Sequence, residues 1–445
     1  MELVWARGLL DEVRAQLLHH SPAEYGGALI CRSRVIEQRH TFIAIGFEAP
    51  RRDELIEQSP GSLVIDPTFW VRLAKPTRRA GLSMLPIHSH PFSHGLPHFS
   101  QRDLYGEGAL QPVIERLSGA PSAAVVLGLE HECLGRFLPD GGRVEGESRD
   151  VGAGPRHRGK ALPSADDDLY SRHIEAFGRE GQERLRSLRV GVVGASGTGS
   201  HVCQQLIRLG VGELLVIDPD VIERANLNRV VTAVEADAEV LAHKVDAVAS
   251  HAAATGSSTR VEPISGDVLN SEVHAGLMDM DAIFGCTDTI ASRALLNRIA
   301  IQHFIPYWDC GTEISRGGEL RAYARLRVVL PGEPCLYCMG VIDPVALRAE
   351  LLPPADQERE IALGYIHGAA GPAPAVVSIN GVVASLAVSS FLRWAVGTSA
   401  IEGGEWVYRN YAGDVRRQGH RRDPSCPVCA PDARFGRCDI PVELS

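Results

Sequence analysis

Two histidines and an aspartate stand close together in the first part of the chain. His88 and His90 are two residues apart, so we expect both imidazoles to project from one side of a strand. Asp103 falls at the expected start of a helix, where its carboxylate would supply an oxygen ligand. Two imidazoles and one carboxylate leave a coordination position for water, which is the open arrangement of a catalytic zinc ion. The pattern therefore predicts a hydrolytic zinc site.

Two further side chains fit this chemistry. Ser100 lies one turn before Asp103 and would stabilise a developing oxyanion. Glu24, in the stretch SPAEYGGAL, is a candidate general base for a proton of the attacking water. His94 and His98 lie in the loop between the ligands, and we interpret them as surface residues.

A second set of residues begins at a glycine-rich turn. Gly194, Gly197 and Gly199 close an apolar strand and open a helix. Their spacing lets backbone amides and the helix N-terminus approach phosphate oxygens closely. Asp218 ends the next apolar strand, where an acidic side chain can take the ribose hydroxyls of a nucleotide. These residues alone would also fit an NAD-dependent dehydrogenase.

The residues that follow favour phosphate chemistry over hydride transfer. Asn226, Arg229 and Lys244 supply an amide and two cations that could grip a triphosphate, and Asp288 follows a third apolar strand, where it could hold magnesium. A dehydrogenase does not need this set, because nicotinamide supplies the hydride chemistry. Carboxylate adenylation does need it, because charge on the α-phosphate and the departing pyrophosphate must be neutralised. The set predicts a site for ATP and magnesium.

Four of the ten cysteines form two CxxC pairs, Cys335 with Cys338 and Cys426 with Cys429. Four thiolates make a closed zinc site, which is structural, and we expect it to fix the C-terminal segment to the sheet. The other six cysteines are scattered, several in apolar strand-like runs. That distribution is typical of reduced thiols and predicts a cytoplasmic protein.

Length and composition predict more than one domain. The chain has 445 residues, of which 44% are hydrophobic and 22% charged, as in ordinary globular proteins. Its net charge of -10 gives no footprint for binding nucleic acid or an anionic membrane. Residues 141–166 are rich in Gly, Pro, Ser and charge, which predicts a linker between one domain at 1–140 and another at 167–445. Beyond the linker, strands and helices alternate, which predicts a doubly wound parallel sheet.

Apolar periodicity predicts the main helices. At the amino terminus it predicts an amphipathic helix whose apolar face contains Leu3, Leu9, Leu10, Val13 and Leu17. After an N-cap at Ser100 it predicts a helix with one side formed by Leu104, Leu110, Val113, Ile114 and Leu117. Residues 374–396 are apolar enough to suggest a membrane span, but Arg393 and several Ser and Asn residues interrupt them. We therefore predict a buried helix there.

Residues 168–430 resemble the ThiF/MoeB/HesA type of adenylating domain in the ubiquitin-activating superfamily. Both CxxC pairs match, and the other matching stretches are YSRHI, EGQERL, GASGTGS, DPD, NLNR and CTD. The resemblance implies a Rossmann-like fold in which Asp218 binds the ribose and Asn226, Arg229 and Lys244 contact the phosphates. It also places Asp220, from the DPD stretch, among the nucleotide-binding residues.

The same resemblance implies a homodimer, with Arg172 reaching the ATP of the partner chain. Asp288 would position magnesium and the attacking carboxylate, which would be the C-terminal glycine of a small ubiquitin-like or sulfur-carrier protein. Relatives that pass the carboxylate to a thiol carry a cysteine in the loop after the first CxxC pair, but residues 364–383 contain none. We expect release of the acyl-adenylate to an external nucleophile, with Cys310 or Cys438 as the alternative acceptor.

Residues 10–137 resemble the JAMM metallopeptidases, also called JAB or MPN. The matching motifs are E-x-x-G at Glu24–Gly27, H-x-H-P at 88–91 and S-x-x-D at 100–103, with about two extra residues between the second and third ligands. This resemblance implies an α/β domain that removes ubiquitin-like proteins from targets or trims their precursors. Together the two resemblances predict a bifunctional enzyme with one catalytic and one structural zinc. The alternative is an adenylating enzyme for a peptide or tRNA, with the first domain as a non-catalytic binding module.

Overall fold

The computed structural model describes residues 1–36, 39–138, 142–154, 168–315, 320–363 and 374–444. The chain divides into two compact units. The first unit contains residues 1–151, 302–304 and 435–441, and the second contains residues 152–301, 305–434 and 442–445.

The first unit is built on a closed sheet with helices packed against it. Its described strands are β1 (Glu2–Trp5), β2 (Gly26–Ile36), β3 (Arg39–Glu48), β4 (Leu55–Ser59), β5 (Ser62–Ile65), β6 (Ser83–Ser89), β7 (Ala124–Leu127), β8 (Glu132–Phe137) and β9 (Arg143–Asp150). Its helices are α1 (Leu9–Leu18), α2 (Pro67–Arg79) and α3 (Gln101–Ser118). The closed sheet has the order β1-β3-β2-β6-β7-β8-β9, while β4 and β5 form a separate hairpin.

The predicted amino-terminal helix begins later than expected. Residues Glu2–Trp5 form β1, which pairs in parallel with both β3 and β9, and Leu3 is fully buried. The helix starts at Leu9, and Leu10, Val13 and Leu17 form its buried face as predicted. Four residues that form backbone hydrogen bonds with strands on both sides are stabilised more by the sheet than by one additional turn of helix.

Part of the predicted linker is also a strand. Residues Arg143–Asp150 form β9, which pairs antiparallel with β8 and parallel with β1. The sheet closes through this strand, and the exposed residues Glu145 and Glu147 account for part of the polar composition of residues 143–150. Residues 155–166 of the linker lie outside the described residues.

The helix after Ser100 forms as the sequence predicts. Ser100 is the N-cap of α3, with its side chain accepting a hydrogen bond from the backbone of Asp103. Ile114 is fully buried, but Val113 is 45% exposed, contrary to its predicted place on the apolar side. Val113 immediately precedes Ile114, and adjacent residues on a helix point about 100° apart.

From residue 168 onward, helices and strands alternate. The helices are α4 (Ser171–Ser187), α5 (Gly197–Leu209), α6 (Glu235–Glu239), α7 (Lys244–Ala254), α8 (Ser271–His274), α9 (Ile290–His303), α10 (Pro344–Leu351), α11 (Pro354–Ala362) and α12 (Val377–Ala395). The strands are β10 (Arg189–Val193), β11 (Glu213–Ile217), β12 (Arg260–Ile264), β13 (Ala282–Gly285), β14 (Tyr307–Ile314), β15 (Ala322–Val329), β16 (Gly404–Arg409) and β17 (Asp414–Gln418).

These strands form one mixed sheet in the order β12-β11-β10-β13-β14-β15-β16-β17. The first five are parallel, as predicted, and the last three continue the sheet antiparallel. The parallel strands alternate along the chain with helices, which gives the Rossmann-like arrangement that the sequence predicted. The order of the strands reverses beside β10. The chain therefore leaves the carboxyl ends of β10 and β13 toward helices on opposite sides, and a crevice lies between them.

The apolar segment 374–396 forms α12. By length and composition it is the one helix among the described residues that could cross a membrane, and 44% of its most apolar window is buried. Ile379, Val383, Phe391 and Trp394 belong to the same buried cluster as α5 and the sheet. This packing is that of a core helix, as predicted.

Candidate functional site

A cavity of about 910 Å³ opens at the carboxyl ends of β10, β11, β12 and β13 and beside the middle of β14. Its lining includes eight residues that the sequence predicted for nucleotide binding: Gly194, Gly197, Asp218, Asp220, Asn226, Arg229, Lys244 and Asp288. Parallel strands present their carboxyl ends at one edge of a sheet, so residues far apart in sequence converge there.

Each of the three positions in the turn requires glycine for a different structural reason. Gly194 has φ +92, and a Cβ there would lie 2.6 Å from the carbonyl oxygen of Cys286. A Cβ on Gly197 would lie 2.2 Å from the amide nitrogen of Asn380. Gly199 does not line the cavity, because it packs directly against Gly194, where a Cβ would lie 1.7 Å from the carbonyl oxygen. Gly199 therefore permits close approach of the helix and turn rather than phosphate contact.

Asp218 is almost completely buried beneath this turn. Its carboxylate accepts hydrogen bonds from the backbone amides of Ala195 at 2.7 Å and Asp220 at 2.9 Å. Burial raises the pKa of Asp218, while Lys244 and these hydrogen bonds lower it. The side chain thus holds the glycine turn and also borders the cavity, where a carboxylate can accept from hydroxyl groups.

Lys244 and Arg229 bring positive charge to the cavity. Nζ of Lys244 lies 2.6 Å from Oδ2 of Asp220, and Nη1 of Arg229 donates to the carbonyl oxygen of Ala225 at 2.6 Å. Asn226 accepts a hydrogen bond from the backbone of Glu223, which fixes its side chain at the cavity wall. These side chains are thus positioned before any anion binds.

Asp288 follows β13 and is exposed within the cavity. Beside it lies Arg293, which the sequence analysis missed. Nε of Arg293 is 3.3 Å from Oδ1 of the fully buried Asp309, and Nη2 donates to the carbonyl oxygen of Thr287 at 3.1 Å. The sequence did contain a signal for Arg293. It is a basic residue one turn into the helix after the third strand, and that turn faces the same edge of the sheet.

Of three other predicted residues, Arg172 and Cys438 lie apart from this cavity lining. Arg172, on α4, has a side chain that is 87% exposed and pairs with Glu175 at 2.9 Å. Cys310 lines the cavity, but a hydrogen bond with Cys286 and burial raise the pKa of its thiol well above the usual value. Burial raises the pKa of Cys438 to about 11. Neither thiol is therefore a ready nucleophile at neutral pH.

The two CxxC pairs come together. Sγ of Cys335 lies 3.6 Å from Sγ of Cys426, and Sγ of Cys338 lies 3.4 Å from Sγ of Cys429. All four sulfurs lie within 4.8 Å of one another, and tetrahedral zinc–sulfur bonds of about 2.3 Å would separate them by about 3.8 Å. Backbone amides of Asp423 and Cys429 donate to two of the sulfurs, which stabilises thiolates. The group fits a structural zinc ion.

In the first unit, His88, His90 and Asp103 form a second group that could hold a metal ion. Nε2 of His88 lies 3.4 Å from Oδ1 of Asp103, and Nε2 of His90 lies 3.3 Å from Oδ2. Tetrahedral bonds of about 2.0–2.1 Å place ligand atoms about 3.3–3.4 Å apart. Nε2 of His88 is buried without a hydrogen-bond partner, as expected of an atom that binds a cation. The residues therefore fit a zinc ion, and His94 and His98 are exposed outside this group.

Two carboxylates shape the electrostatics of this group. Burial lowers the pKa of His88, but the neighbouring carboxylates of Asp103 and Glu107 raise it to about 10. Burial raises the pKa of Asp103, but hydrogen bonds with His88 and His90 hold it well below its usual value. These carboxylates therefore place negative charge where a cation would bind.

Glu24 and Ser100 lie beside the same group. Antiparallel pairing places Gly26 of β2 opposite His88 of β6, so Glu24 extends toward His90, and Oε1 of Glu24 lies 3.9 Å from Nε2 of His90. Burial raises the pKa of Glu24, so its carboxylate binds a proton more readily than an exposed one does. The hydroxyl oxygen of Ser100 accepts from the amide of Asp103 at 3.2 Å, which leaves its proton available for donation.

Residues 170–428 match the ThiF family, so this chain belongs to that family. The SAMP-activating enzyme E1 of Haloferax volcanii is 31% identical over 59% of this chain and 88% of that protein. Molybdopterin-synthase adenylyltransferase of Escherichia coli is 27% identical over 58% of this chain and 95% of that protein. The sulfur carrier protein ThiS adenylyltransferase of Bacillus subtilis is 26% identical over 42% and 59%. The fold and the cavity thus define a ThiF-type adenylyltransferase domain.

Proposed function

We propose that the second unit adenylates the C-terminal glycine of a small ubiquitin-like or sulfur-carrier protein. The observation that carries this proposal is the convergence of Asp218, Asn226, Arg229, Lys244 and Asp288 on one cavity. The names of the similar adenylyltransferases support the class of substrate, because one of them acts on a sulfur-carrier protein.

In the proposed reaction, a carboxylate oxygen of the carrier attacks the α-phosphorus of ATP. The new bond joins that oxygen to phosphorus, the bond to the bridging oxygen breaks, and pyrophosphate leaves with the electron pair. Lys244 and Arg229 offset the negative charge that develops on the phosphates. Magnesium, when bound with ATP, neutralises further phosphate charge, and Asp288 is the residue proposed to hold it. Because residues 364–383 contain no cysteine, we propose transfer to an external nucleophile.

ATP–pyrophosphate exchange tests this proposal. Exchange should require a glycine-ended carrier, and Asp288→Ala should lower its rate by about 10²-fold or more. Asp279→Ala, which changes a carboxylate outside the cavity lining, is the matched control. If no carrier candidate supports exchange and Asp288→Ala behaves like the wild type, the adenylation proposal is wrong.

We propose a homodimer in which Arg172 completes the site of the partner chain. Its exposure, away from its own cavity lining, supports that arrangement. Mixing inactive Arg172→Ala and Asp288→Ala chains should restore part of the activity, because one site of each mixed dimer is then intact. Mixing Lys244→Ala with Asp288→Ala should restore none, since both residues belong to the same chain's site. Equal behaviour of the two mixtures would contradict the arrangement.

We further propose that the first unit is a metal-dependent peptidase for the same class of carrier. His88, His90 and Asp103 would hold a zinc ion, which supplies positive charge to acidify water and polarise a peptide carbonyl. Glu24 would accept the proton of the attacking water and deliver it to the leaving amine, while Ser100 would donate to the developing oxyanion.

Cleavage of a carrier fused through its C-terminal glycine tests this second activity. Zinc-loaded wild type should cleave the fusion, and His88→Ala should not. If His94→Ala, the control in the neighbouring loop, cleaves like the wild type, the loss is specific to the ligand. Should wild type and His88→Ala cleave equally poorly, the first unit is a binding module instead.

A further inference from the structure

Glu107 is a buried carboxylate on the same face of α3 as Asp103, one helical turn further along. Its side chain is 12% exposed, and its Oε2 atom is buried without a hydrogen-bond partner. An ionised carboxylate in such a place is costly unless something compensates it. The group that faces it is the imidazole of His88.

The two carboxylates of α3 meet opposite edges of the His88 ring. Oδ1 of Asp103 lies 3.4 Å from Nε2, and Oε1 of Glu107 lies 3.6 Å from Nδ1. Nε2 is the edge that faces the proposed metal site, so Glu107 stands behind the ligand rather than among the ligands. Among the described contacts of His90, carboxylates approach only Nε2.

We propose that Glu107 is a positioning residue of the metal site, which accepts a hydrogen bond from Nδ1 of His88 and so holds Nε2 toward the metal. This inference rests on the proposed metal site in the first unit. A neutral imidazole carries one proton, so a proton fixed on Nδ1 leaves the lone pair of Nε2 free to coordinate. The separation of 3.6 Å needs to close by only a few tenths of an ångström to make a hydrogen bond.

Carboxylates behind ligating histidines strengthen metal binding, and their loss weakens it by about 10- to 100-fold. Glu107→Ala should therefore raise the zinc Kd of this site by about that factor. Glu107→Gln keeps an acceptor oxygen without the charge and should give a smaller increase. Glu12→Gln, an exposed carboxylate on α1, should leave the Kd unchanged.

The experiment uses the full chain with its cysteine group already loaded, and measures the second zinc equivalent by competition with a chelator of known affinity. Unfolding of the proteins that carry zinc only in the cysteine group is followed in parallel, because a merely structural role would lower Tm without changing Kd. A weakened second site in Glu107→Ala, with partial rescue in Glu107→Gln, supports the inference. A second equivalent that binds equally well in wild type and both variants overturns it.

A different result would show that the proposed metal site of the first unit, and not only the role of Glu107, is wrong. If wild type and His88→Ala both bind a single zinc ion per chain, the metal site itself is absent, and the role of Glu107 falls with it. Two equivalents in the wild type and one in His88→Ala establish the site independently of Glu107.

Discussion

Nζ of Lys244 lies 2.6 Å from Oδ2 of Asp220, although Lys244 is buried and the Asp220 side chain is 65% exposed. The cation is therefore held at the cavity wall by an anion that solvent can reach. Asp218, on its other side at 3.8 Å, is buried. Such a lysine is fixed in place at the cavity wall, where a phosphate group could replace the solvent-accessible carboxylate of Asp220.

Lys244→Ala should lower the rate of ATP–pyrophosphate exchange by about 10²- to 10³-fold, because one preorganised cation is lost. Lys75→Ala, which removes an exposed lysine of α2, should leave the rate unchanged. An exchange rate within a factor of two of wild type in the Lys244 variant would show that Lys244 does not contact the phosphates.

Gly199→Ala should destabilise the second unit. Its Cβ would lie 1.7 Å from a backbone oxygen, which cannot move aside as a side chain can. We expect the free energy of unfolding to fall by about 1–3 kcal/mol, which corresponds to a decrease in Tm of roughly 2–12 °C. Gly419→Ala, where nothing lies within 4 Å of the new Cβ, is the control for calorimetry. An unchanged Tm in Gly199→Ala would contradict the tight packing of the turn.

Zinc content should separate the two metal groups. The wild type should carry two ions per chain, Cys335→Ser with Cys338→Ser should lose one, and His88→Ala with His90→Ala should lose the other. The cysteine variant should also lower Tm, because structural zinc contributes to folding free energy. Substituting Cys133, one of the six cysteines outside both groups, should change neither quantity. Metal analysis by mass spectrometry gives the counts.

Acid should weaken the first unit through one ion pair. Hydrogen bonds with Arg72 at 2.7 and 2.8 Å are the main cause that lowers the pKa of Glu54 from 4.5 to about 2. A carboxylate with a lowered pKa stabilises the fold above its unfolded pKa, and this stability is lost as pH falls from about 4.5 toward 2. Denaturant unfolding at several pH values should show a smaller acid dependence in Glu54→Gln.

Glu12→Gln is the control for this measurement, since Glu12 is exposed on α1. If Glu54→Gln and Glu12→Gln lose stability in parallel with the wild type between pH 5 and 3, the ion pair with Arg72 is not the cause of the acid dependence.

The sequence predicted the site better than it predicted the edges of the fold. Asp218 and Asp288 each follow a buried strand, and the topology of parallel sheets brings such positions together without further information. The CxxC pairs predicted a metal-binding group equally directly, because few arrangements other than a metal site use four cysteines at this spacing.

What the sequence could not supply were contacts between distant segments. Leu3 is in a strand because β3 and β9 lie on either side of it, and no local pattern reveals those partners. Glu107 illustrates the same limit, since its importance depends on which ring edge of His88 it meets. Gly199 was predicted to bind the nucleotide, but it packs against Gly194 and does not line the cavity, and spacing alone does not distinguish these two roles.

The distance along the chain between the two cysteine pairs has a consequence during synthesis. All residues that line the nucleotide cavity have been translated once the ribosome passes Asn380, but the last two sulfur donors arrive only with Cys426 and Cys429. A nascent chain therefore holds a complete set of ATP-binding residues before it can capture the ion that secures the segment beyond them. A chain that stops between these two points would carry every cavity-lining residue named here but only the first two of the four sulfur donors.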